Sequence, residues 1–400
     1  MLLASVLLFI AAAAGLVLVG TETWLVRRFV RRPLRKPTQP LPPISILKPL
    51  CGVDEGLDEN LRSFAQLDYP LYEVVLGVAS AADPAYALAQ RIVAERPDRY
   101  RLVLQESAAG LNPKVNQLVT LARAARFDVL LISDANVRIV EPGYLPEIAA
   151  WLEDPTVGLV THGASGCGEK SFGALLDNMY FTSHFTSGGI GVKELVNQDM
   201  VNGKSMAMRR ADVVALGGFE AVANYLAEDF VIGLWVTARL KKRTVFARYT
   251  PRSMCIQRTV KAYRTRYARW AVLQRHGVGL GVYCAQVLVY PMLTASVALL
   301  LSPSLTALGL WSGVVLAKSL FDVMKCRMLR PEGLTWRAAF AVPIYDALVG
   351  WMVFYGLRYN RVDWHGHLIE VGKGTRIIPV VSPNSDSDPG EVVGEDATAP

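Results

Sequence analysis

Residues 2–20, LLASVLLFIAAAAGLVLVG, carry no charged side chain, and Arg27, Arg28, Arg31, Arg32, Arg35 and Lys36 follow closely. An uncharged apolar run of this length crosses the ~30 Å hydrocarbon core of a bilayer as a helix. A cleaved signal peptide would need its basic residues before the apolar run and small residues at a cleavage site, whereas the bulky, basic WLVRRFVRR comes after it. The run therefore reads as an anchor, residues 1–24. The positive-inside bias puts its basic end in the cytoplasm and the N-terminus outside. Those cations are explained as a topology signal, aided by anionic headgroups, without invoking nucleic acid. Composition agrees, with 52% hydrophobic and only 19% charged residues, against roughly a quarter charged in soluble domains. The five cysteines are odd in number and lack C-x-x-C spacing. That excludes a disulfide framework and a structural zinc site, and suits a reducing compartment.

The prolines of PTQPLPP (37–43) form a stiff spacer, closing a basic juxtamembrane segment and linker at 25–43. A soluble α/β domain is expected over 44–257. ISILKPL (44–50), EVVLGVA (73–79), YRLVLQE (100–106) and FDVLLISDAN (127–136) read as strands, and LDENLRSFAQL (57–67), AYALAQRIVAER (85–96) and VNQLVTLARAA (115–125) as helices between them. Such alternation predicts a Rossmann-like parallel sheet with helices on both faces, whose ligands bind at the carboxyl ends of strands. An amphipathic interfacial helix follows at 258–277. Apolar stretches at 278–302, 304–324 and 338–357 are long enough to cross or enter a membrane, within a C-terminal membrane region at 278–358. The basic loop 325–337 is expected to face the cytoplasm. Strict alternation would then put the C-terminus outside, against the hint of Arg358 and Arg361; a re-entrant or interfacial segment would reconcile the two. A short hairpin is expected at 359–381 and a disordered acidic tail at 382–400.

Several constellations could carry chemistry. Asp83 follows one buried strand and Asp134 ends the most apolar one. Either acid could cap a turn, but the strand-end position favours function for Asp134. Residue 136 is Asn, so a full D-x-D pair is lacking and any metal binding loses one carboxylate. Lys114 and Asn116 sit in GLNPKVN, read as a turn just before a helix where phosphate oxygens could be held. Glu228 and Asp229 lie in the apolar YLAEDFVIG, either as helix-start acids or with a pKa raised by burial toward that of a general base. In TVKAYRTRYARWAVLQRHG, Arg266 and Arg269 stand one turn apart and could clamp a diphosphate, though an interfacial helix also accounts for basic residues there. His184 is a lone histidine in FTSHFTSGGIG.

Taken in order, KPLCGVDEGLDENLRSFAQLDYP, GLNPKVN, SDAN, NGKSMAMRR, LAEDF and RTRYARW resemble the ceramide glucosyltransferases, a membrane branch related to the inverting glycosyltransferases of family 2. The resemblance covers about 44–275 and implies a GT-A type fold. It implies that Asp83 binds the nucleotide, that Asp134 serves a metal–diphosphate site holding Mg2+ or Mn2+, and that Asp229 is the catalytic base. Arg266, Arg269 and Trp270 match the family's R-x-x-R-W signature. Thr182, Ser183 and His184 match a histidine near the acceptor, with Glu228 also on the acceptor side. Lys114, Asn116 and Asn136 join the donor site. UDP-glucose is the implied donor and ceramide the implied lipid acceptor, with hopanoid lipids or polyprenyl phosphate as alternatives. The GKS at 203–205 lacks the context of a P-loop, so an ATPase is excluded. Ala/Arg/Val-rich composition and the 362–374 segment suit a bacterial inner membrane, with the domain facing the cytoplasm.

Overall fold

The computed structural model describes residues 1–379 apart from positions 199, 331, 365 and 366; the expected tail at 382–400 lies outside them. The first apolar run forms α1 (Leu2–Val30), which continues past the expected anchor and takes Arg27 and Arg28 into its last turn. After the proline spacer the chain alternates through β1 (Ile44–Pro49), α2 (Leu57–Ser63), β2 (Tyr72–Val78), α3 (Ala85–Glu95), β3 (Tyr100–Leu104), α4 (Pro113–Ala124) and β4 (Val129–Ile132). Then come β5 (Val137–Arg138), α5 (Tyr144–Leu152), β6 (Val157–His162), β7 (Ser165–Cys167), α6 (Phe172–Tyr180), α7 (Ser187–Val196), β8 (Met206–Arg209), α8 (Arg210–Ala215), α9 (Glu228–Ala238), β9 (Arg243–Ala247) and β10 (Arg252–Met254).

Seven strands form one sheet in the order β3-β2-β1-β4-β8-β6-β9. Period-2 alternation divides their apolar side chains between two layers. Ile46, Val74, Leu76 and Leu131 pack with Leu61, Ile92 and Ile148 from α2, α3 and α5, while Leu47, Val75, Leu130 and Ile132 pack with Leu118, Leu121 and Val236 from α4 and α9. The sheet is not wholly parallel as expected, because β8 runs antiparallel to both neighbours. The reason is connectivity. The excursion over 163–205 leaves the carboxyl end of β6 and returns there, with Met206 beside Thr161, so β8 must run back. The chain goes one way from β1 through β2 to β3, and β4 adds on β1's other side. The carboxyl ends of β1 and β4 are thus the point where strand order reverses, the usual ligand crevice of such sheets.

The C-terminal region departs further from expectation. α10 (Val260–Val278) ends at Gly279, whose φ of +84° suits glycine. The expected span at 278–302 is broken into α11 (Leu280–Ala285), a short 3-10 turn and α12 (Pro291–Leu301). α12 has 11 residues, about 16 Å at 1.5 Å per residue, too short to cross alone. α13 (Leu305–Leu329) absorbs Lys325 and Arg327 of the expected loop, and α14 (Val342–Arg358) follows. β11 (Arg361–Trp364), β12 (His367–Val371) and β13 (Ile377–Ile378) make a small antiparallel sheet where a hairpin was expected. Among the described residues three helices are long and apolar enough to cross a membrane: α1, α13 and Ala338–Arg358.

Contacts fix how these helices lie. Ser5 Oγ, near the start of α1, donates to Ala298 O near the end of α12 (2.8 Å), and Lys325, near the end of α13, meets Glu22 at 3.3 Å. α12 and α13 therefore run as an antiparallel pair beside α1. At its far end α13 is tied to the α/β domain by Arg330–Glu169 (2.9 Å) and Arg252–Glu332 (2.6 Å). The small sheet is tied to it as well: Leu226 N–H donates to Thr375 O and Ile377 N–H to Asn224 O.

Candidate active site

β4 is buried throughout, so the chain emerges from it into polar residues at the crevice. There Asp134 faces Lys114 Nζ at 2.8 Å from one carboxylate oxygen and Lys204 Nζ at 3.5 Å from the other. Burial opposes ionisation of Asp134, but Lys114 and then Lys204 outweigh it and hold the carboxyl down at about 2. Lys114 also reaches Glu228 at 2.9 Å. Burial works against its charge, yet Asp134, Glu228 and Asp229 hold it above the usual lysine range. Beneath them Lys48, wholly buried in β1, donates to Asp134 O (2.9 Å) and lies 3.9 Å from the Phe64 ring centre. Burial pulls its ammonium down to about 7.

Asp229 stands in the first turn of α9. Its carboxylate accepts from Gly203 N–H (2.7 Å) and Phe230 N–H (2.8 Å). A Cβ at residue 203 would sit 3.0 Å from both Asp229 Oδ2 and Lys114 Nζ, so glycine is what lets the loop amide approach. Burial, then the Glu228 charge, push Asp229 up to about 6, against the pull of Lys114 and the two amides. That is a carboxylate ready to accept a proton near neutral pH.

The opposite wall comes from α10. Arg266 and Arg258 both pair with buried Asp177 of α6, and Tyr267 donates to the same carboxylate. Arg266 also lies 5.0 Å from the Trp270 ring centre. Arg269, one turn on, is lowered to about 10 by burial and by Arg266 and Arg258, with Asp363 pulling the other way. Two guanidinium groups share Asp177 and Arg269 adds a third beside them, so positive charge dominates this wall and suits an anionic ligand.

These walls enclose one cavity of about 930 Å3. Its lining combines charged Lys114, Asp134, Lys204, Asp229, Arg266 and Arg269 with apolar Phe185, Leu273, Val282 and Tyr283, the last two from α11. Such a cavity suits a ligand with one highly charged part and one greasy part.

A model of Glycosyl transferase family 21 matches residues 7–377. The chain belongs to that family. Curated relatives include ceramide glucosyltransferase 1 of Caenorhabditis elegans, 27% identical over 241 residues, which is 60% of this chain and 51% of that protein. Ceramide glucosyltransferase of Komagataella phaffii is 28% identical over 205 residues, 45% and 40% of the two chains. The chain thus matches about half the length of these relatives or less. Among solved structures, a mannosyltransferase from Pyrobaculum calidifontis in complex with GDP-Man and Mn2+ aligns with a TM-score of 0.53 at 19% identity, over 88% of this chain and 99% of that one. This likeness speaks for the GT-A glycosyltransferase fold.

Of the residues to which the family resemblance points, the cavity wall gathers Lys114, Asp134, Glu228, Asp229, Arg266, Arg269 and Trp270. The others lie outside its lining. Asp83 sits at the carboxyl end of β2, accepting from Gly52 N–H (2.9 Å) and Ala85 N–H (2.8 Å). Lys114 and Asn116 are inside α4 rather than in a turn before it. Asn112 caps that helix by accepting from Val115 N–H. The Asn116 amide is spent on the preceding loop, accepting from Ala109 and Gly110 N–H and donating to Gly110 O. Asn136 Oδ1 accepts from Lys204 Nζ at 2.7 Å. His184 lies in a π-helical turn, stacked between Tyr180 and Tyr290 and bonded to the Tyr290 hydroxyl (2.9 Å). Burial holds its pKa down near 3. Glu228 is buried under Lys114 and accepts from the Asn112 amide (3.3 Å). Sequence reasoning missed Lys48, Lys204, Arg258 and Asp177. The available signals were a lone lysine inside an apolar strand, the lysine of NGKS and a lone acid in the apolar GALLDNMY.

Proposed function

We propose that the protein is a membrane-bound inverting hexosyltransferase that moves glucose from UDP-glucose to the primary hydroxyl of a ceramide-like lipid. The reading rests chiefly on one observation: a carboxylate with its pKa lifted to about 6 shares a cavity with a cluster of cations and a set of apolar side chains. The diphosphate lies among Lys114, Lys204 and Arg269, with Asp83 taking the nucleoside end at the neighbouring strand terminus. Arg266, fixed by Asp177, holds Trp270 beside the sugar. The lipid hydroxyl enters along the apolar side chains, where His184 and the stacked tyrosines support Phe185. Glu228 tunes Asp229 and anchors Lys114. Asn116 shapes the loop before α4, and Asn136 aims Lys204.

In the reaction the hydroxyl oxygen bonds to the anomeric carbon from the face opposite the leaving group. Its proton passes to Asp229, and the bond from that carbon to the β-phosphate oxygen breaks, its electron pair leaving on UDP. A single displacement gives a β-linked product. The lipid tails cost about 0.8 kcal/mol per CH2 to withdraw from the bilayer, which is why the catalytic cavity opens beside apolar helices.

The family resemblance implies Mg2+ or Mn2+ at Asp134, and the Pyrobaculum relative holds Mn2+. The donor set here suits such an ion poorly. Both oxygens of Asp134 face ammonium groups, residue 136 is an amide, and among the described residues no group of three His, Cys, Asp or Glu could hold a metal. No step above passes through one.

The test is incubation of membranes containing the protein with labelled UDP-glucose, UDP-N-acetylglucosamine and GDP-mannose against ceramide, hopanoid, diacylglycerol and polyprenyl phosphate. Labelled ceramide from UDP-glucose is expected. Transfer only to hopanoid or polyprenyl phosphate would move the acceptor assignment to that lipid, and no transfer to any lipid would overturn the reading.

A further inference from the structure

Lys204 is only 7% exposed, and burying an ammonium is costly unless something answers its charge. Its partners are Asn136 Oδ1 at 2.7 Å and Asp134 Oδ2 at 3.5 Å. A divalent ion shared by the side chains of residues 134 and 136 would lie between those two oxygens, and the ammonium already lies there.

The loop that presents Lys204 is pinned by buried hydrogen bonds on either side of it. Asn202 N–H donates to Thr161 Oγ1 (3.1 Å) and Lys204 N–H to Asn202 Oδ1 (3.2 Å). Thr161 Oγ1 donates to Ser205 O (2.8 Å), and Ser205 Oγ contacts Tyr144 OH (2.6 Å) and His162 Nδ1 (2.8 Å). So many bonds to neighbouring strands and helices make the position of this lysine a fixed property of the fold. Lys114 meets the other oxygen of the same carboxylate, Lys48 donates to the Asp134 backbone carbonyl, and Arg258, Arg266 and Arg269 also line the cavity. Cations outnumber acids here, with Glu228 and Asp229 sharing Lys114 and Asp177 sharing two of the arginines, an arrangement suited to receiving a diphosphate.

We infer that Lys204 is the resident cation of the donor site, bridging Asp134 and Asn136 and neutralising the nucleotide diphosphate where a divalent ion would otherwise sit. Nucleotide binding by this chain is then independent of added metal. The inference rests on the sugar-nucleotide reading above and adds to it the residue that holds the leaving group.

The experiment measures UDP and GDP binding to the full-length protein in detergent by calorimetry, with EDTA or with Mn2+. UDP is expected to bind equally well in both. Lys204→Met keeps the packing of the stem and removes the charge, and should weaken UDP binding in EDTA by roughly tenfold or more. Lys204→Arg should retain most of the affinity. Asn136→Asp combined with Lys204→Met, which restores a second carboxylate and vacates the cation position, should make UDP binding respond to Mn2+. UDP binding by the wild type only when Mn2+ is present overturns the inference while leaving the transferase reading standing, and that comparison needs no variant. A folded Lys204→Met protein that binds UDP as tightly as wild type in EDTA also overturns it. A wild type that binds neither nucleotide under either condition overturns the sugar-nucleotide reading itself.

Discussion

The base role proposed for Asp229 depends on its surroundings. A free aspartate titrates near 4, too low to take a proton efficiently at neutral pH. Here burial and the Glu228 charge lift it to about 6 while two backbone amides keep the carboxylate aimed. Asp229→Asn keeps the shape and the amide contacts but cannot accept the proton. Transfer should fall by about a thousandfold while UDP binding, measured by calorimetry, stays within about twofold of wild type, a change under 0.5 kcal/mol. The base works only when deprotonated, so kcat/KM should be level above pH ~6 and fall about tenfold per unit below it; a profile flat down to pH 4 would exclude Asp229 as the base. Asp134, Asp229 and Arg269, which the cavity brings together, could be singled out in the sequence because an acid at a strand end, adjacent acids in an apolar stretch and arginines one turn apart are unusual enough to suggest chemistry. Lys48 and Lys204 could not. Each is a single lysine whose meaning depends on β1 and β8 flanking β4, and strand order is not written in any local pattern. Asn116 misled for the opposite reason: its side chain looked available, but the loop at 109–110 consumes it.

At the level of elements, the alternating strands and helices of 44–136 could be read because their periodicity is local. The helices after 278 could not be read as well, since their ends are set by partners far along the chain. Composition alone makes 278–302 one span, whereas a positive-φ Gly279 and Pro291 divide it. α13 outruns its apolar stretch because Lys325 finds Glu22 on α1 and Asp322 one turn back. The buried group Lys318, Asp322, Lys325, Glu22 and Asp346 joins α1, α13 and α14. Asp322 is its centre, meeting both lysines and the Tyr345 hydroxyl. Buried charges of this kind are tolerated only as a set. Asp322→Ala leaves two buried ammoniums short of a partner and should cost about 3 kcal/mol of stability. Thermal melting in detergent would register this as a clear drop in Tm, whereas Leu305→Ala at an exposed helix end should leave Tm unchanged.

Across the whole molecule, the contacts of α14 bear on the conflict between the basic loop 325–337 and the basic residues Arg358 and Arg361. Between α13 and α14, Glu332 pairs with Arg252 and Arg330 with Glu169, both partners belonging to the α/β domain. Just after α14, the small sheet bonds to residues 224–226 of that same domain, and Arg275 of α10 holds Leu357 O and Asn360. The chain on either side of this 17-residue helix is thus tied to one domain, and the helix packs against α10. A helix crossing the bilayer carries its ends to opposite sides, so the expected outcome is that α14 lies along the membrane surface beside α10 rather than across it, although its length and composition would allow a crossing. On that expectation α1, the broken pair α11–α12 and α13 make three passes, and the segments before and after α14 share a side with the cavity, in keeping with their charge. Impermeant maleimide labelling tests this in sealed vesicles of both orientations, with the exposed Cys51 and Cys284 replaced by serine. Cysteines at the exposed positions Trp336 and Tyr359 should react from the side that exposes the α/β domain, and one at Leu305, 89% exposed at the start of α13, from the other. Reaction of Trp336→Cys and Tyr359→Cys from opposite sides would make α14 a true span and require a different course for the helices before it.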